Sequence, residues 1–200
     1  MKAVLASIRP RHTANIKARK KSLEVRKTKP NIPTPFKVYV YETKDGGEGA
    51  GAVVCEFVCD YIFDIYTQWM AHDELPGGPI ETWLEWDDAP EEYVTTKDIE
   101  AATCLTWEQI EQYMGAASEI YCWHISELKV YDVPRGLEKF APHCRFMTDD
   151  MLSCDHRKVA CNCQHFDHNP WPDCSLNAVI CKRRMKRPPQ SWCYVEEALK

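Results

Sequence analysis

Apolar and polar residues alternate along several short stretches of the chain, and this period of two is typical of half-buried β-strands. In "SLEVR" the alternation places Leu23 and Val25 on a core-facing side and Glu24 and Arg26 on the other. The strands predicted by this pattern are Lys2–Ile8, Ser22–Arg26, Phe36–Thr43, Ala52–Ile65, Tyr121–Asp132 and Arg187–Glu197. "KDGGEGAG" between the third and the fourth predicts a hairpin turn.

Helical signals are few and short. A helix is predicted over Arg11–Lys21, another over Asp98–Cys104, and a third over Thr106–Gly115. In the third, Thr106 and Gln109 have the spacing of a capping box, and Gly115 is a typical helix stop. The acid-rich segment 66–97 is predicted to be irregular. Many strands with few helices favour an α+β class and, in particular, a small β-barrel.

Basic and acidic residues are segregated along the 200-residue chain, whose net charge is −5. Residues 1–37 carry eleven Lys/Arg and one acid, residues 38–150 six Lys/Arg and twenty-four acids, and residues 151–200 eight Lys/Arg and five acids. A basic end is a candidate phosphate-facing surface. Opposite charges that neutralise each other in the fold are the alternative interpretation.

The single acid of that basic end, Glu24, stands in "KKSLEVRK" between Lys21 and Arg26. Two cations lower the pKa of a carboxyl between them and keep it charged. Such a carboxylate can accept from an exocyclic amine of a base while the cations meet phosphate. Alternatively, Lys21 could act as a base with Glu24 holding a water. The structural alternative is a surface row of ion pairs, which is worth little free energy.

Eleven cysteines are many for a chain of this length, and an odd number argues against a framework of disulfides. Five cysteines and three histidines fall within 154–181, a segment with few large apolar residues. A zinc ion would supply the folding free energy that such a segment lacks. The predicted ligands, for which His165 or Cys181 are substitutes, are Cys154, Cys161, Cys163 and Cys174. Free thiols in a flexible loop are the alternative.

Three stretches together resemble the ASCH domain, a family of the PUA-like β-barrel superfamily, of the type found in bacteriophages and their bacterial hosts. "LASIRP" is followed by a helix, by "KKSLEVRKTKP" and by "FKVYVYET", and the strand "YCWHISELKVYDVP" and the closing "RPPQSWCYVEE" also match. The family signature is Gly-x-Lys-x-x-Glu-x-Arg. Lys21, Glu24 and Arg26 stand at its Lys, Glu and Arg positions, whereas Arg19 replaces its Gly.

This resemblance implies a PUA-like barrel with a ligand cleft beside the first helix, where such domains commonly bind RNA or DNA. We therefore expect a barrel formed by 1–150 plus 182–200, and a Cys/His-rich insertion at 151–181 that binds zinc. Some small ASCH proteins are instead amidohydrolases that act on N4-acetylcytidine with a Lys, a Thr and a Glu. Lys21 falls on their Lys and Glu24 on their Thr.

Four further residues are candidates for ligand binding. Ser7 and Arg9 follow the first strand, where a phosphate contact is easily built, although a solvated loop arginine is an alternative. His124 alternates with Trp123 on a strand and could contact a base edge or act as an acid, or be a satisfied core histidine. Trp192 could stack on a base or fill the core.

Three functions are compatible with these residues. The first is a protein that binds RNA, DNA or a modified nucleotide, and the second is an N4-acetylcytidine-type hydrolase. The third is a phage-borne protein-interaction factor that acts through the acidic segment 66–97. No apolar run approaches the ~18 residues that span a bilayer, and the N-terminal apolar stretch is too short for a secretory signal. We therefore expect a cytoplasmic protein of a bacterium or an infected cell.

Overall fold

In a computed structural model of the chain, residues 3–71, 80–87, 89–90, 93, 95–142 and 184–197 are described. The strands are β1 Ala3–Ile8, β2 Leu23–Arg26, β3 Phe36–Glu42, β4 Ala52–Cys59, β5 Ile62–Ala71, β6 Ile80–Asp87, β7 Glu119–His124, β8 Ser126–Arg135, β9 Phe140–Pro142 and β10 Trp192–Glu197. The helices are α1 Pro10–Lys17, α2 Thr96–Thr103 and α3 Trp107–Met114, with a short 3-10 turn at Leu137–Lys139. The α+β class predicted from the sequence is confirmed.

The strands form two sheets. One has six strands in the order β8-β4-β3-β1-β10-β9, and the other has four in the order β2-β7-β5-β6. Neither sheet closes on itself among the described strands, so "barrel" fits the architecture only loosely. The chain divides into two compact units, a first unit from the described parts of 1–10, 38–56 and 131–200 and a second unit from those of 11–37 and 57–130.

The segment predicted to be irregular is partly sheet, and this prediction was wrong. β5 continues to Ala71, and Ile80–Asp87 pairs with it as an antiparallel strand with Asp64 opposite Asp87 and Ala71 opposite Ile80. The three acids among the eight residues of "IETWLEWD" interrupt the apolar alternation on which the strand prediction depended.

Two predicted single strands are each divided in two. Ala52–Ile65 is interrupted at Asp60 and Tyr61, where β4 ends in the six-stranded sheet and β5 begins in the four-stranded one. The strand predicted at Tyr121–Asp132 is interrupted at Ile125 in the same way, between β7 and β8. Strands that pass from one sheet to another bend at such a point, and alternation alone does not reveal the bend.

Helices α2 and α3 follow one another in the second unit, and α3 begins and ends as its sequence predicts. The Thr106 hydroxyl accepts from the Gln109 N–H at 3.2 Å, and the Gln109 side chain accepts from the Thr106 N–H at 3.1 Å, which confirms the predicted capping box. Gly115 ends α3 with φ +60°. The two helices pack on the four-stranded sheet through a core that includes Leu23 and Val25, as the alternation predicted.

Candidate functional site

Lys21, Glu24 and Arg26 form a buried ionic cluster in the second unit. Lys21 Nζ lies 3.4 Å from Glu24 Oε2, and Arg26 Nη2 lies 3.0 Å from Glu24 Oε1. The side chains of Lys21, Glu24 and Arg26 are only 2%, 8% and 7% exposed. The interpretation of this row as surface ion pairs was therefore wrong. Both sides of β2 are buried, so its polar residues must satisfy one another away from water.

Glu24 and Arg26 share the side of β2 that faces away from Leu23 and Val25. In the antiparallel pairing of β2 with β7, Glu24 stands opposite Trp123 and Arg26 opposite Tyr121. Trp123 is fully buried, and its ring meets that of Phe36 edge-on at 5.8 Å. An apolar neighbour of this size excludes water from the carboxylate and strengthens its two ion pairs.

The turn before β2 sets the position of Lys21. After α1, Arg19 takes the left-handed conformation with φ +57°, and the N–H groups of Lys20 and Lys21 both donate to the Asn15 carbonyl, at 3.0 and 3.3 Å. Glycine adopts this conformation at no steric cost, whereas a residue with a Cβ is strained by roughly 1–2 kcal/mol. The glycine of the family signature falls on Arg19, and the chain keeps the turn without it.

Lys21 also caps the C-terminal end of α2. Its ammonium donates to the Thr103 carbonyl at 2.7 Å, 82 residues further along the chain, and the neighbouring Ser22 N–H donates to the Ala102 carbonyl at 2.8 Å. A cation at a helix C-terminus also interacts favourably with the helix dipole, by ~0.3–1 kcal/mol and more where the site is buried. Lys21 therefore joins α2, β2 and the carboxylate of Glu24.

Glu24 stays ionised although it is buried. Burial alone would raise its pKa, but the positive charges of Lys21 and Arg26, with a further contribution from His12, outweigh burial and bring the pKa below its usual value. Two cations thus contact one carboxylate, and His12 adds to their electrostatic effect. His12 lies on α1 and was not among the residues singled out from the sequence; the only signal was its place in the basic segment.

Two more residues lie near the cluster, Cys122, which the sequence predicts to be a core cysteine, and Tyr113, which the sequence analysis did not single out. Cys122, opposite Val25 on β7, is fully buried, and burial raises the pKa of its thiol to about 12, so this cysteine is an unreactive core residue. Tyr113 on α3 is 39% exposed, and burial of its hydroxyl end raises its pKa. Its ring lies beneath Lys27, the residue after β2, whose Nζ is 5.4 Å from the ring centroid.

His124 lies at the bend between β7 and β8 rather than in the ionic cluster. Its Nδ1 is 2.6 Å from Asp60 Oδ1, its ring stacks on Tyr61 with centroids 4.3 Å apart, and its N–H donates to the Tyr61 carbonyl at 3.2 Å. These contacts join the end of β7 to Asp60 and Tyr61, the two residues between β4 and β5. His124 is half-buried and Trp123 is fully buried, so they face opposite sides as predicted.

The other predicted ligand-binding residues belong to the first unit. The Ser7 hydroxyl donates to the Pro189 carbonyl at 2.6 Å, so this side chain holds the segment before β10 in place. Arg9 Nε lies 3.8 Å from Asp45 Oδ2 in an exposed ion pair. Trp192 is half-buried on β10, and its ring meets that of Tyr194 edge-on at 5.4 Å.

The predicted zinc ligands Cys154, Cys161, Cys163 and Cys174 lie outside the described residues. Within the described ranges, no group of three or more Cys, His, Asp or Glu could hold a metal ion. The insertion at 151–181 and its zinc therefore stay predictions. No helix in the described part of the chain is long and apolar enough to cross a membrane.

No family model and no curated protein matches the chain. Among solved structures, the ASCH protein of Zymomonas mobilis matches with a TM-score of 0.46 and 13% identity over 68% of this chain and 74% of that one. A Tyr-to-Phe variant of that protein matches with a TM-score of 0.47 and 12% identity, over 68% of this chain and 77% of that one. The chain is thus similar to structures of the family that its sequence resembles.

Proposed function

We propose that the chain is an ASCH-type protein that binds RNA, or a modified nucleotide of RNA, at the exposed lysines that follow β2. The observation that carries this proposal is the position of Lys27 and Lys29, which are exposed and stand directly after β2, next in sequence to the buried and paired Lys21, Glu24 and Arg26. Exposed cations attract phosphate, and the buried cluster, with two cations for one carboxylate, adds to the same positive field.

The contacts of Lys21 favour a binding protein over a hydrolase. A general base needs a free lone pair on the amine, whereas the Lys21 ammonium donates to the Thr103 carbonyl and lies against Glu24 in a side chain that is 2% exposed. Glu24 is likewise occupied, because each of its oxygens faces a cation. In this arrangement Lys21 and Glu24 have a structural role, because their contacts with each other, with Thr103 and with Arg26 occupy the groups that a proton transfer would need.

The same contacts change the role expected of Glu24. With one oxygen beside Lys21 and the other beside Arg26, this carboxylate fixes the two cations in position rather than reading a base edge. Both cations are buried, so they act on a phosphate through their charge, while the contacts themselves fall to the exposed lysines after β2.

The test is fluorescence anisotropy with a labelled single-stranded oligoribonucleotide, titrated at several salt concentrations. We expect binding whose affinity falls linearly on a log–log plot against salt, because each neutralised phosphate releases counterions. In parallel, N4-acetylcytidine is incubated with the protein and with Lys21→Met, and the products are separated by chromatography. Absent or salt-independent binding would refute the proposal. Turnover that is lost in Lys21→Met would assign the site to the hydrolase instead.

A further inference from the structure

Two lysines directly after β2 lie over tyrosine rings. Lys27 Nζ is 5.4 Å from the ring centroid of Tyr113, and Lys29 Nζ is 4.6 Å from that of Tyr121. Both distances are within the range of a cation–π interaction. Lys27 and Lys29 are exposed, while the following Pro30 is buried and fixes the end of the segment.

We propose that Lys27 and Tyr113 form a subsite for one nucleotide of a single-stranded RNA, in which Tyr113 stacks on the base and Lys27 binds the adjacent phosphate. This inference rests on the proposed function and names the surface that would carry it. Tyr121 does not offer a second stacking surface, because its side chain is buried; Lys29 above it would contact only phosphate.

Tyr113 has the properties of a prepared stacking platform. It is the aromatic member of the exposed large apolar residues of the described chain, and Lys27 Nζ lies 5.4 Å from its ring centroid. Every base has an aromatic face, so such a platform accepts any sequence, and a single strand is required because the bases of a duplex are already stacked.

The surroundings of the ring favour a polyanion. α3 carries Gln109 and Ile110 at positions i−4 and i−3 from Tyr113, and its carboxylates, Glu108 and Glu111, stand at i−5 and i−2, positions that do not face the Tyr113 side chain. Lys27 lies over the ring face in the unbound protein. When a phosphate binds the Lys27 ammonium, the face of the Tyr113 ring becomes accessible to the neighbouring base. One nucleotide thus replaces the cation–π contact with a phosphate contact to Lys27 and a stacking contact to Tyr113.

The experiment uses the full chain and a short fluorescein-labelled oligouridine, with four variants checked for folding by thermal melting. Tyr113→Leu removes the ring, and Tyr113→Phe keeps the ring but loses the hydroxyl. Lys27→Ala removes the phosphate contact, and Lys97→Ala removes an exposed lysine of α2 as the matched charge control.

We expect Tyr113→Leu to weaken binding by about five- to 150-fold, the effect of losing one stacked base, without changing the salt dependence. Tyr113→Phe should bind like the wild type. Lys27→Ala should weaken binding and reduce the slope of log K against log salt by about 0.7, the value for one single-strand phosphate. Lys97→Ala should change neither quantity.

Equal binding by Tyr113→Leu and Tyr113→Phe, or equal affinity for an abasic strand of the same length, would overturn the stacking role. An unchanged salt slope in Lys27→Ala would overturn the phosphate contact. If the wild type binds the oligouridine and these variants do not differ from their controls, only the subsite is refuted. If the wild type shows no salt-dependent binding, the proposed function fails, and the subsite fails with it.

Discussion

Replacing Glu24 by glutamine tests whether the buried cations Lys21 and Arg26 depend on this carboxylate. The substitution keeps the shape of the side chain but leaves Lys21 and Arg26 buried without their common counter-charge. Removing one partner of a buried ion pair costs about 3–5 kcal/mol of unfolding free energy, since the remaining charge has no compensation. For a chain of about this size, that loss lowers the melting temperature by about 6–20 °C.

The assay is thermal unfolding followed by circular dichroism, with Asp45→Asn as the matched carboxylate-to-amide control. Asp45 pairs with Arg9 at 3.8 Å, but the two side chains are 60% and 65% exposed. Exposed pairs of this kind contribute ~0–1 kcal/mol, so the control should melt close to the wild type. If Glu24→Gln melts within the range of Asp45→Asn, the two buried cations do not need this carboxylate, and the reasoning is wrong.

The pH dependence of the same variant has a defined sign. The pKa of Glu24 is lowered in the folded state, so its stabilisation is fully present above the unfolded value of about 4.3 and is lost as the pH falls through the folded pKa. The difference in melting temperature between the wild type and Glu24→Gln should therefore be constant near neutrality and shrink below about pH 4. A difference that grows on acidification would contradict the ionised state of Glu24.

Stability and function of the cluster can be separated by replacing all three residues together. In the triple variant Lys21→Met, Glu24→Leu, Arg26→Met no buried charge is left without a partner. Apolar residues of similar volume in place of buried ion pairs are often neutral or stabilising. We expect this variant to melt near the wild type or above it and to bind RNA more weakly. Weaker binding in a well-folded triple variant would show that the charges serve the ligand rather than the fold.

Three further predictions follow from residues around the site. Arg19→Gly should be tolerated because φ is +57° there, whereas Arg19→Val should cost about 1–2 kcal/mol in urea unfolding; equal stabilities would contradict the strained turn. His124→Phe keeps the stack on Tyr61 and loses the Asp60 pair, so it should melt above His124→Ala, and the reverse order would refute the role of the stack. The thiol of Cys122, with a pKa raised to about 12, should resist alkylation at pH 8 in the folded protein and react after denaturation; labelling read by mass spectrometry checks this.

Local chemistry was predictable from the sequence where neighbouring residues decide it. The capping box of Thr106 and Gln109 depends on a spacing of three residues, and the sides of β2 depend on a period of two, so both were predicted and are confirmed. Glu24 between Lys21 and Arg26 was also apparent as a carboxylate with two cationic neighbours. In each case the interacting groups lie within a few residues of one another along the chain.

The division of long strands into two was not predictable in this way. β4 and β5, like β7 and β8, read as one continuous alternation, because neither a proline nor a glycine marks the interruptions at Asp60–Tyr61 and at Ile125. The contacts that hold them, from His124 to Asp60 and to Tyr61, join residues about sixty positions apart. A periodic pattern contains no information about such pairs.

The sequence by itself determined which groups would form the candidate site, since Lys21, Glu24 and Arg26 were identifiable from a basic strand with one acid. Only the tertiary structure decided that the site is buried and that Lys21 is a donor to the Thr103 carbonyl rather than a free amine. The physical reason is that burial and hydrogen-bond partners depend on elements distant in sequence. The last turn of α2 packs against the start of β2, and the Thr103 carbonyl there accepts a hydrogen bond from Lys21. No local pattern in the sequence encodes this contact.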